Sequence, residues 1–110
     1  MSTVQDDSWV LGETWSEIIS CRDADGQPFT PLSADYKLVD LSGNDVWAYT
    51  SLDTDRVIID ADEVTVIIST FDQSSISSRT YRRRLKVTDS NGAISRQVSG
   101  IISVLPADDD

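Results

Sequence analysis

The chain has no histidine and a single cysteine, Cys21. The first absence excludes Ser-His-Asp and Cys-His catalysis and histidine-based metal sites. With one cysteine no internal disulfide can form. A thiol without a histidine base reads as a small strand residue, not a nucleophile. Long hydrophobic runs are missing as well. Apolar stretches are short, as in Val57-Ile58-Ile59, far from the ~20 residues that a membrane helix needs. The segment from Met1 to Asp7 has no basic residue and no apolar core, so no signal peptide is expected and synthesis in the cytoplasm is. No Gly-rich phosphate loop occurs, and Asp53-Thr54-Asp55 lacks the glycine of an aspartic-protease motif. A paired-carboxylate enzyme is the weakest of the classes that stay open. The expectation is a protein that is not an enzyme and carries no cofactor.

Positive charge is scarce: 9 basic residues stand against 19 acidic ones, for a net charge of −10. Duplex nucleic acid repels such a chain, because affinity there comes mainly from neutralising phosphates. The distribution is uneven. Arg79, Arg82, Arg83, Arg84 and Lys86 place five of the nine basic residues within eight positions. Acidic residues gather at both ends, as Asp6, Asp7 and Glu13 and as Asp108, Asp109 and Asp110. Opposite patches of this kind steer association and set its register.

What the chain does have is a recurrence of short β-branched and aromatic runs separated by turn residues, the pattern of a sandwich or barrel. Strands are predicted over 14–22, 35–40, 45–50, 56–59, 64–70, 79–88, 93–99 and 101–104, with a shorter one over 8–11. Asp23-Ala24-Asp25-Gly26, Leu41-Ser42-Gly43-Asn44-Asp45 and Asp89-Ser90-Asn91-Gly92 have turn chemistry: aspartates that bond nearby backbone N–H groups and glycines that accept positive φ. Asp60-Ala61-Asp62-Glu63 reads as a further hairpin loop, and residues 71–76 as one helical turn. Alternation puts Val64, Val66 and Ile68 on one face, and Tyr81, Leu85 and Val87 opposite Arg82, Arg84 and Lys86. Gly100 marks a bulge or a close contact. Arg83 falls on the apolar parity, which places it at a rim, against a carboxylate or against a partner subunit.

Taken together, the reading is all-β: an antiparallel Ig-like or jelly-roll-like β-sandwich of about seven to nine strands. Residues 1–7 form a flexible N-terminus, 8–106 the sandwich and 107–110 an acidic tail. Asp23 and Asp25 with Gly26, or Asp53, Asp55, Asp60 and Asp62, offer oxygen ligands of the kind calcium takes. Gln27 and Phe29 do not continue an EF-hand loop, however, so Asx-type turns and loop solvation are the plainer reading and no metal is assigned.

Two stretches resemble a known family. Gly12-Glu13-Thr14-Trp15, then Asp23-Ala24-Asp25-Gly26-Gln27-Pro28 and Pro31-Leu32-Ser33, are similar to the opening of phage tail and baseplate β-domains. Tyr81, Leu85, Val87-Thr88-Asp89-Ser90-Asn91-Gly92, Arg96-Gln97-Val98-Ser99-Gly100 and Val104 resemble the closing hairpin. The family is the N-terminal domain of BppU-type upper baseplate proteins and related tail-fibre adaptors. The resemblance spans about residues 8 to 106. It implies a virion structural protein of the tail, baseplate, neck or capsid decoration that acts by protein–protein assembly. Arg82-Arg83-Arg84 is more basic than is usual in that family. Expected partners are proteins, either further copies in a homo-oligomer or ring or other virion chains, with no nucleic acid and no membrane. The candidate assembly interface is Arg82, Arg83, Arg84, Lys86 and Trp9. The alternative is an Ig-like module for a saccharide or cell-surface ligand, using Trp9 or Trp47 as a stacking face.

Overall fold

The computed structural model describes residues 3–4 and 7–106. Among these are nine strands, β1 (Thr3–Val4), β2 (Asp7–Val10), β3 (Trp15–Ser20), β4 (Ser33–Val39), β5 (Asp45–Thr50), β6 (Val57–Asp60), β7 (Glu63–Ile68), β8 (Thr80–Thr88) and β9 (Ile94–Leu105). One 3₁₀ turn spans Thr70–Gln73.

The strands form two sheets. In the large one, β9, β8, β4 and β5 run antiparallel in that order, and β1 and β2 follow one another along the outer edge of β9. The small one has the order β3-β7-β6. In the lettering of immunoglobulin-like domains, β3, β7 and β6 take the places of B, E and D, and β9, β8, β4 and β5 those of G, F, C and C′. The fold is an Ig-like β-sandwich. It departs from a purely antiparallel arrangement at one edge, where β1 and β2 run parallel to β9.

Alternation builds the core. Tyr36 and Leu38 of β4, Val64, Val66 and Ile68 of β7, Leu85 and Val87 of β8, and Val98, Ile102 and Val104 of β9 all point inward and are buried. Each such aliphatic side chain contributes about 1.5–3 kcal/mol by leaving water. Tyr81 closes one end: its hydroxyl accepts from the Ser77 N–H at 2.9 Å and donates to the Ser77 carbonyl at 3.0 Å. That is the tyrosine corner of Ig-like sandwiches, at the start of the strand that corresponds to F.

Three turns share one construction. Asp23, Asp40 and Asp89 each accept two backbone N–H groups on Oδ1, from the residues two and four further on. The fourth residue of each turn is a glycine with φ between +81° and +94°. The carboxylate satisfies donors the turn leaves without a sheet partner, and a side chain at the glycine would meet a left-handed backbone. Asp23 thus serves its own turn. Among the described residues no group of three or more carboxylate or thiol side chains is placed to hold a metal ion.

Several expectations need correction. Residues 94–105 form one strand, not two, because Gly100 continues the pairing opposite Arg83 with φ +138°, a conformation glycine accepts. The irregularity in this strand falls earlier, where the partners of Leu85 and Lys86 are Val98 and Arg96 and Gln97 is the extra residue. A flexible segment over residues 1–7 does not describe Thr3–Val4 or Asp7, whose backbones pair with β9. Met1, Ser2, Gln5 and Asp6 lie outside the described residues, as does the acidic segment 107–110.

Candidate functional site

Two of the five candidate interface residues are inside the protein. Arg83 is 1% exposed. Its Nη1 donates to Glu17 Oε2 of β3, across the sandwich, at 2.5 Å. Glu17 Oε1 accepts from the Tyr36 hydroxyl at 2.7 Å. The apolar parity of Arg83 is therefore real: it occupies a core position, and a carboxylate from the facing sheet compensates its charge. The Tyr36 hydroxyl is held well above its ordinary pKa, first by burial and then by the Glu17 carboxylate. Trp9 is 6% exposed and stacks on Trp15, with ring centroids 5.6 Å apart. Neither Arg83 nor Trp9 offers a surface to a partner. The same holds for Trp47, which is buried against Tyr36 and Tyr49. The stacking face that a saccharide reading requires of Trp9 or Trp47 is thus absent.

The other three, Arg82, Arg84 and Lys86, share the outer face of β8. The register sets them in rows across the sheet. Arg82 stands between Val39 and Ile101, Arg84 between Lys37 and Ser99, and Lys86 between Asp35 and Arg96. Five of the nine basic residues thus lie on one face of a chain with net charge −10. Lys37 pairs with Asp45 at 3.3 Å. Two like-charged pairs, Lys37 with Arg84 and Lys86 with Arg96, are direct cross-strand neighbours, an arrangement that destabilises a sheet.

This face is not flat. One concavity of about 440 Å³ is lined by Arg82, Arg84 and Arg96 with Val39, Ser99 and Ile101. A second, of about 580 Å³, is lined by Arg84, Lys86 and Asp35 together with Leu32, Leu52 and Ile94. Arg84 belongs to both. Leu32, Leu52, Ile94 and Ile101 are exposed, Leu52 to 91%. Cationic groups set among exposed aliphatic side chains match the composition of protein interfaces, where arginine and apolar contact occur together.

No thiol lies on this face. Cys21 lies elsewhere, in the core, with its thiol pushed up to about 11 by burial and then by Asp62. It is a neutral thiol at physiological pH.

Sequence reasoning missed Lys37, Arg96 and the aliphatic rim. Lys37 alternates with Tyr36 and Leu38, so its parity already pointed outward. Arg96 was hidden because the extra residue at Gln97 shifts the parity within β9.

No protein-family model matches the chain, and no curated protein matches it. Solved structures that resemble it include CopC from Methylosinus trichosporium OB3b, at 16% identity over 77% of this chain and 74% of that one, with a TM-score of 0.49. Another is the extracellular domain of the voltage-gated sodium channel β4 subunit, solved as parallel homodimers, at 14% identity over 97% and 88%, with a TM-score of 0.46. The strand order and register described above define the fold as an Ig-like β-sandwich.

Proposed function

We propose that the chain is a non-enzymatic assembly module that docks on an acidic protein surface through the outer face of β8, β9 and β4. One observation carries this reading. Arg82, Arg84, Lys86 and Arg96 make no ion pair within the described residues, although acidic residues outnumber basic ones by 19 to 9. Cations that a fold sets side by side without counter-ions cost stability, and a carboxylate-bearing partner removes that cost on binding. Such charges set the rate and register of association more than raw affinity.

The particle-level reading, a structural component of a phage tail, baseplate, neck or capsid decoration, draws its support from the sequence resemblance. It is tested by mass spectrometry on purified particles from an induced source strain, with this chain quantified against the major capsid protein. A fixed stoichiometric ratio is the expected result. Expression in the lysate with absence from intact particles would overturn it.

A further inference from the structure

The partner of the basic face can be narrowed by asking which charges the fold already uses. Glu17 is taken by Arg83 and Tyr36, Asp72 and Asp55 by Arg56, and Asp45 by Lys37. Asp23, Asp40 and Asp89 hold their own turns, and Asp53 accepts the Thr50 N–H. Among the described residues, the carboxylates left without a side-chain hydrogen bond or ion pair include one close group. It is Asp60, Asp62 and Glu63, within four positions of the hairpin that joins β6 to β7. Glu13, Asp25 and Asp35 are also unpaired but stand singly. The unpaired cations form a matching group in the Arg82, Arg84 and Arg96 concavity.

We infer that the β6–β7 hairpin of a second copy of this chain docks in the Arg82, Arg84 and Arg96 concavity of the first. This rests on the proposed docking face and names its occupant. Arginine takes carboxylates in paired, directional hydrogen bonds. The tip residue Ala61 has φ +54°, so the turn is tight, and Asp60 and Glu63 are cross-strand partners on either side of it. Donor and acceptor surfaces lie on different sheets, so one copy uses both at once. The contact is heterologous, and such contacts propagate into a ring or a filament. Two basic faces meeting each other would oppose like charges.

The test is sedimentation equilibrium on the full chain with two variants, R82E/R84E and D60K/D62K, each first shown to melt cooperatively. Wild type is expected to self-associate, at least about tenfold more weakly in high salt. Each variant alone is expected to stay monomeric. An equimolar mixture is expected to give a 1:1 dimer, since one variant keeps the hairpin and the other keeps the concavity. R82Q/R84Q serves as the basic-face variant if charge reversal prevents folding. A wild type that is monomeric at millimolar concentration, or a mixture that stays monomeric while wild type associates, overturns the assignment. If the monomeric wild type still joins particles in an Arg82- and Arg84-dependent way, the docking face survives and the second-copy occupant does not.

Discussion

Glu17 and Arg83 meet across the interior of the sandwich, with Arg83 two residues after the corner tyrosine Tyr81. In immunoglobulin domains the second cysteine of the inter-sheet disulfide stands two residues after that tyrosine, and its partner lies on the strand that corresponds to β3. Here a buried ion pair ties the same two strands. The chain, with Cys21 as its only cysteine, holds its sheets together without a disulfide.

Breaking this pair is expected to be severe. Arg83→Ala or Glu17→Ala leaves one buried charge uncompensated, which costs about 3–5 kcal/mol. The double replacement Glu17→Leu with Arg83→Met removes both charges and is expected to retain most of the stability. Urea unfolding of the three variants checks this, and additive losses would contradict it.

Stability is expected to fall on the alkaline side. The Cys21 thiol keeps its proton up to about 11 in the folded protein, against an ordinary value of 9.0. The unfolded chain therefore releases that proton first. Stability from this group is complete below pH 9 and declines as pH rises through about 11. Cys21→Ala is expected to flatten that part of the profile. Tyr36, also raised, keeps a further slope above its ordinary value of 10.0, which Tyr36→Phe is expected to remove. Chemical unfolding at stepped pH reads both.

Ala61 is the one non-glycine residue with positive φ among those described. Ala61→Gly relieves the left-handed strain but adds freedom to the unfolded chain, for a net gain of roughly 0.5–1 kcal/mol. A raised melting temperature is the expected outcome. A lowered melting temperature would mean that the turn carries no strain at this position.

Trp9 is expected to act on stability rather than on assembly. Trp9→Ala removes a core ring stacked on Trp15 and costs about 3–5 kcal/mol. Among the described residues its indole N–H has no hydrogen-bond partner, so Trp9→Phe is expected to cost much less. Thermal melts separate the two variants. Equal losses would contradict the packing account.

The parts of the fold that were legible depend on neighbours in sequence. Val64, Val66 and Ile68 alternate with Thr65 and Ile67, and Asn91-Gly92 sits between two strand patterns, so local physics sufficed. Arg83 and Trp9 depend on contacts that no local pattern records. Glu17 stands 66 residues from Arg83, and Trp9 is drawn into the core by pairing with the far end of the chain at Val104. The basic stripe of Arg82, Arg84 and Lys86 was readable from period-two alternation. Its extension to Lys37 and Arg96 required the strand order, which places β4 and β9 on either side of β8.

The central claim is that the outer face of β8, β9 and β4 is the docking surface. Its most direct test is competition during assembly. Wild type and R82E/R84E, shown beforehand to melt alike, are co-expressed in equal amounts in an induced strain, and their ratio in purified particles is measured by mass spectrometry. The account predicts that wild type is enriched by at least about tenfold, equivalent to ~1.4 kcal/mol of binding. Equal incorporation of the two would contradict it.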